Sequence, residues 1–266
     1  MLKQAGLFAI LVLAAGAFLL FSAETASSPI RFSYQPIAFQ LDSNETPARN
    51  APETMAGGVA VFDYNRDGRP DIFFTNGANI ATLKKDSPKY RNRLFRNDGK
   101  GVFTDVTDAA GLAGSGFDIG VAAGDYDNDG YPDLFVAGVY RNTLYHNNGN
   151  GTFTDVTAKA GLNQGSDPEF GPLWAITAAW VDVNNDGLLD LFVLNYLQWS
   201  YSDQPLCLFQ GTADYCHPRY YKGLPNSLFL NKGNGKFEDV SAKWDIRSHV
   251  GKGMGVGELA ITLVQE

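Results

Sequence analysis

Three stretches of this sequence gather acidic side chains at a spacing that suits a metal ion. They run from Asp63 to Asp71, from Asp125 to Asp133 and from Asp182 to Asp190, each with the pattern Asp-x-(Asp/Asn)-x-Asp-Gly-x-x-Asp. Calcium is a hard cation that takes about six to eight oxygens from carboxylates, amide and backbone carbonyls and water. Positions one, three and five place three side-chain oxygens in one turn: Asp63, Asn65 and Asp67; Asp125, Asp127 and Asp129; Asp182, Asn184 and Asp186. Gly68, Gly130 and Gly187 follow and let the chain turn without a Cβ clash. Position seven, Arg69, Tyr131 or Leu188, offers a backbone carbonyl, so its side chain is free to vary. Position nine, Asp71, Asp133 or Asp190, closes the set with a carboxylate. Up to three Ca2+ ions are expected, bound most tightly at the middle loop, which alone carries four carboxylates.

Two rival readings of these stretches are weaker. An EF-hand needs a bidentate Glu at position twelve between two helices, whereas position twelve here is Phe74, Val136 or Val193, apolar residues of a strand. Asp, Asn and Gly also populate ordinary hairpin turns. Three loops that share five fixed positions, with no counter-cation at positions one, five or nine, favour bound cations over ordinary turns.

The elements that hold these loops repeat as well. Apolar runs flank each acidic turn, and a second family of segments alternates with the first: Asn92 to Thr107, Asn142 to Thr157 and Asn226 to Ser241. Each member of either family is two short apolar runs around a turn rich in Asp, Asn and Gly, the pattern of a β-hairpin, and no helical period interrupts them. Two hairpins make a four-stranded blade, which cannot bury both faces alone and must stack on its neighbours. An all-β fold of about three blades plus the first strand of a fourth, an open or incomplete β-propeller, is the expected architecture.

With its three acidic loops, its Phe-Thr-Asp-Val-Thr segments at 103–107 and 153–157, and the approach Pro52-Glu-Thr-Met-Ala-Gly-Gly58, the chain resembles the FG-GAP/VCBS-repeat propellers, of the kind in the integrin α-chain head and the cartilage acidic protein family. The resemblance spans roughly residues 52–256. It implies a propeller with calcium in its loops and an extracellular or periplasmic address, and it implies no catalysis.

The rest of the chain bounds the function. The 266 residues, 44% hydrophobic, suffice for one or two folded domains, and the net charge of −8 leaves no cationic surface for nucleic acid. Ten aspartates fall within the three loops. Residues 1–23, with Lys3 and an apolar run from Gly6 to Phe21, form a signal pattern. Phe21 sits where a cleavage site wants a small side chain, so a cleaved signal and a retained N-terminal anchor both stay open; the anchor would be the one contact with membrane. Either predicts export to the periplasm, the cell surface or the exterior. Cys207 and Cys216 are the only cysteines, and in an exported chain they are expected to form a disulfide. A zinc site is not expected, since His146, His217 and His249 lie far apart in the sequence.

Residues 24–51 read as a leader, residues 52–257 as the blades with an insertion at 197–225, and residues 258–266 as a divergent tail. The insertion holds Trp199, Tyr201, Phe209, Tyr215, Tyr220 and Tyr221, which serve either as stacking surfaces for a ligand or as packing for the loop. It leaves the blade opposite the acidic loops. Gly253 to Gly257 is in phase with Asp118 to Ala122, so another acidic loop is due, yet the chain continues as Glu258 to Glu266; a truncated or frame-shifted product of a longer gene is the expectation. No nucleophile motif, histidine cluster or cofactor loop is present. The leading reading is a calcium-binding, non-enzymatic exported repeat protein that binds a protein or a glycan. The alternatives are a fragment of a propeller enzyme acting on carbohydrate, and a truncated product without independent function.

Overall fold

The computed structural model describes residues 33–163 and 165–255. The signal segment 1–23, the first part of the leader and the tail 258–266 lie outside the described residues. Three four-stranded antiparallel sheets follow one another along the chain. Blade 1 is β1 (Val59–Phe62), β2 (Asp71–Phe74), β3 (Arg93–Gly99) and β4 (Val102–Asp105), and blade 2 is β5 (Asp118–Gly124), β6 (Asp133–Gly138), β7 (Thr143–Asn147) and β8 (Phe153–Asp155). A short ribbon of β9 (Ser166–Asp167) and β10 (Gly171–Pro172) leads into blade 3. Blade 3 starts with β11 (Ala175–Val181) and β12 (Asp190–Asn195), and the insertion then forms the hairpin β13 (Cys207–Phe209) and β14 (Thr212–Asp214). After β15 (Leu224–Pro225), β16 (Ser227–Asn231) and β17 (Phe237–Asp239) complete blade 3, and β18 (Val250–Gly251) pairs with β15. The chain is therefore all-β, an open, propeller-like array of blades.

Stacking buries what single sheets cannot. One core, with Phe62, Phe73, Leu94, Leu134 and Tyr145, lies between blades 1 and 2; another, with Phe135, Leu144, Trp180, Leu191 and Phe229, lies between blades 2 and 3. Every residue of β6, in the middle blade, is buried. On β1 burial alternates instead: Ala60 and Phe62 are buried while Val59 and Val61 are exposed, because one face of blade 1 carries no neighbouring blade among the described residues. The first strands of successive blades approach so closely that a Cβ on Gly58 would sit 2.6 Å from the Ile119 carbonyl oxygen, and one on Gly120 would sit 2.1 Å from that of Ile176.

The second repeat family encodes the fasteners at the blade ends. Asn92 and Asn226 accept through their side-chain oxygens from the Asn76 and Asn195 amides, and Asn142 accepts from that of Gly138. In the Asp-Val-Thr/Ser segments the hydroxyls of Thr107, Thr157 and Ser241 donate to Asp105, Asp155 and Asp239 and accept from the amides of Leu94, Leu144 and Leu228. These aspartates are turn-formers. Part of the leader also belongs to the fold: Phe39 stacks on Phe74 at 4.4 Å, and the Asp42 amide donates to Asn76.

The insertion divides into two roles. Trp199 and Tyr221 are buried in a third core with Trp174, Tyr196 and Leu197, so these two aromatics pack the loop. Tyr215 donates from its hydroxyl to Glu53 at 3.1 Å and Gln204 donates to the Ala48 carbonyl, which docks the insertion on the end of the leader and the approach to blade 1. Leu206, Leu208, Phe209 and Tyr220 remain exposed around the Cys207–Cys216 disulfide. At the end of the described chain Gly253 to Gly255 form no strand; the Gly253 amide donates to the Asn195 carbonyl, and the remainder of the expected fourth-blade strand lies outside the described residues.

Candidate metal centre

Each acidic loop joins the first two strands of its blade, so the loops recur at one end of the array and the 197–225 insertion, which joins the second and third strands of blade 3, leaves from the other. The turns are pre-formed by their own side chains. Position one caps the turn: Asp63 accepts from the amides of Asp67 and Gly68, Asp125 from those of Asp129 and Gly130, and Asp182 from those of Asp186 and Gly187. Position five then accepts from position seven, Asp67 from Arg69, Asp129 from Tyr131 and Asp186 from Leu188. The fourth residues, Arg66, Asn128 and Asn185, take positive φ of 58 to 61°, and the glycines at position six follow with φ of 82 to 90°.

Position nine is wholly buried in all three loops and does two jobs. Asp71 accepts from the Tyr64 and Asn97 amides, Asp133 from Tyr126 and Asn147, and Asp190 from Val183 and Asn231. The carboxylate thus ties its loop to the third strand of the same blade. Burial, with neighbouring carboxylates adding to it, pushes the Asp133 carboxyl up to about 8 against the pull of its two N–H donors. Burial raises Asp71, Asp190 and Asp127 as well, and the nearby aspartates add to the effect. A cation would relieve this directly.

The structure gathers the expected ligands unequally. At the middle loop, carboxylate oxygens of Asp125, Asp127 and Asp133 lie within 4.8 Å of one another, as do ligand atoms of Asp127, Asp129 and His146. Either group is compact enough to hold a metal ion. In the outer loops Asn at position three donates its amide to position five instead, Asn65 to Asp67 at 3.0 Å and Asn184 to Asp186 at 2.9 Å. The Arg69 side chain, which the sequence pattern leaves free to vary, pairs with Asp67 at 2.6 Å. Positions one, three, five and nine offer only oxygen donors, the type calcium takes, and among the described residues only the middle loop gathers three carboxylates within 4.8 Å. His146 was missed by spacing because it lies outside every loop motif, on β7.

The loops are also coupled from blade to blade. Asn147 donates its side-chain amide to the Tyr64 carbonyl in loop 1 at 2.8 Å, and Asn231 donates to the Tyr126 carbonyl in loop 2 at 2.7 Å. Since the amides of these same residues hold Asp133 and Asp190, each asparagine links the acidic site of its own blade to the loop before it. Arg66 of loop 1 stacks over Tyr131, and Asn128 donates to the Gly187 carbonyl of loop 3.

The family description FG-GAP-like repeat matches the chain twice, over residues 63–136 and 125–193, and the two matches between them contain all three acidic loops. No curated protein matches the chain. Among solved structures it is similar to a lectin from Agrocybe aegerita that recognises non-reducing terminal N-acetylglucosamine, at 15% identity and a TM-score of 0.21, over 69% of this chain and 65% of that chain's length.

Proposed function

We propose that this chain of FG-GAP-like repeats is a calcium-binding, non-enzymatic protein of the periplasm or the cell exterior that binds a protein or a glycan. One observation carries the calcium reading: the same pre-formed oxygen-lined turn recurs at the same end of three stacked blades, with a buried carboxylate at position nine each time. Calcium in these turns neutralises carboxylates whose burial is otherwise unfavourable and tightens the loops that the asparagines join. The disulfide fits an oxidising compartment.

Ligand recognition is assigned to the insertion. Leu206, Leu208, Phe209 and Tyr220 present apolar and aromatic surface on a hairpin closed by a disulfide, which limits the entropy lost on binding. The test has two stages. Calcium titration followed by calorimetry must show binding that Asp125→Asn and Asp182→Asn weaken; a flat titration ends the calcium reading. Glycan and protein panels are then probed with the calcium-loaded protein and with Phe209→Ala. Equal binding by both proteins would remove the insertion from the role.

A further inference from the structure

We infer that the insertion, with the short strand β18 beside it, forms a binding surface for an acidic glycan, a chain of uronic acid sugars whose rings lie on exposed aromatics while its carboxylates meet a cationic rim. The inference rests on the reading that the insertion recognises a ligand, and it names the chemical class of that ligand.

The rim is set by backbone pairing. β15 joins β18 through Leu224–Gly251 and Pro225–Val250, and the Lys252 side chain donates to the Pro218 carbonyl at 2.7 Å. Arg219, Lys222 and Lys252, all exposed, therefore converge on one surface from two separate segments. The blades pair their arginines with aspartates, Arg93 with Asp105, Arg96 with Asp98 and Arg141 with Asp155, whereas among the described residues no ion pair involves these three cations. In a chain of net charge −8 the patch is a local reversal of sign, and it attracts an anionic ligand. Guanidinium and ammonium groups are the usual partners of carboxylates.

Beside the rim lies an open cleft of about 370 Å³, lined by Leu206, Phe209, Asp214, His217 and Tyr220. That volume falls within the range of small-ligand sites, about 300–1,000 Å³. More than half of Phe209 and of Tyr220 is exposed, and the Arg219 guanidinium sits 5.3 Å from the centre of the Tyr220 ring, so charge and aromatic surface adjoin. The Cys207–Cys216 disulfide holds the hairpin in place.

Two polar groups favour a glycan over an acidic peptide. His217 Nδ1 accepts from the Arg219 amide at 3.1 Å, so in the neutral ring the proton is on Nε2, where it can be donated to a ligand oxygen. Asp214 uses Oδ1 to accept from the Tyr215 amide at 2.8 Å and keeps capacity to accept from a hydroxyl. That carboxylate repels a ligand bearing only carboxylates. A sugar with hydroxyls and a carboxylate on the same ring satisfies both it and the rim.

The test titrates the calcium-loaded full chain by calorimetry with an oligogalacturonate, a neutral maltooligosaccharide of the same length and a polyglutamate peptide of the same charge. Binding is expected for the oligogalacturonate, weakening about tenfold as salt rises from about 0.05 to 0.5 M. A chain carrying Arg219→Gln and Lys252→Gln should bind it about tenfold more weakly. Tyr220→Ala should weaken the same binding, and each variant should melt with the parent, since these side chains are exposed. An oligogalacturonate bridged by calcium to the acidic loops would ignore the rim variants, and that result overturns the inference. Equal affinity for the neutral sugar, equal affinity for the peptide, or no binding of the oligogalacturonate overturns it as well. In any of those cases, binding of a neutral glycan or a protein that Phe209→Ala weakens keeps the insertion as a recognition surface, whereas binding indifferent to Phe209 removes it from that role altogether.

Discussion

The position-nine aspartates show how one residue can be both a fastener and a liability. Asp133 joins loop 2 to β7 through two N–H donors, yet its burial beside Asp127 and Asp129 holds its carboxyl up to about 8, far above the ordinary 3.8. The sign follows from linkage: a carboxyl whose folded value is raised costs nothing below the unfolded value and costs progressively more as pH rises toward the folded one. Asp71, Asp190 and Asp127 are shifted in the same direction. The metal-free protein should therefore melt at a lower temperature at pH 8 than at pH 5, and calcium should narrow or reverse that difference because it favours the ionised form. Melting in EDTA across this range checks it; a metal-free transition that climbs with pH would contradict it. The same logic makes calcium affinity rise with pH over that window.

Strands and loops are joined by a small set of repeated contacts, so their loss should be felt beyond one blade. Asn231 donates to the Tyr126 and Leu189 carbonyls while its amide holds Asp190. Asn231→Ala leaves buried carbonyls without a donor, and a loss of about 1–3 kcal/mol is expected from urea unfolding. It should also weaken metal binding at loop 2, although Asn231 touches no candidate ligand there; a calcium titration unchanged at that loop would show the blades to be independent. Gly120 is limited by space instead, since its Cβ would meet the Ile176 carbonyl oxygen at 2.1 Å. Gly120→Ala forces the first strands of blades 2 and 3 apart, at a cost of about 1–3 kcal/mol, whereas Gly251→Ala meets nothing and serves as the neutral control.

For the molecule as a whole, metal and folding are expected to be one equilibrium. If calcium binds only the folded blades, each site held at a hundredfold excess over its dissociation constant adds about 2.7 kcal/mol. Melting curves with calcium and with EDTA should separate clearly, and coincident curves would refute structural calcium. What the sequence determined by itself was everything local: turn residues at fixed spacing, hairpins on either side of them, two alternating families and hence blades. Such features depend on residues a few positions apart, and the second family's Asn92 and Asp105 recur because every blade needs the same fasteners. Only the tertiary structure decided which side chains meet and which stay exposed. It set His146 beside Asp127 and Asp133, paired the side chain of Arg69 with Asp67, aimed Asn147 at Tyr64 of the preceding loop, and buried Trp199 while leaving Phe209 exposed. No spacing rule encodes those outcomes, because they depend on side-chain placement, on strand pairing within a blade and on the stacking of one blade on the next.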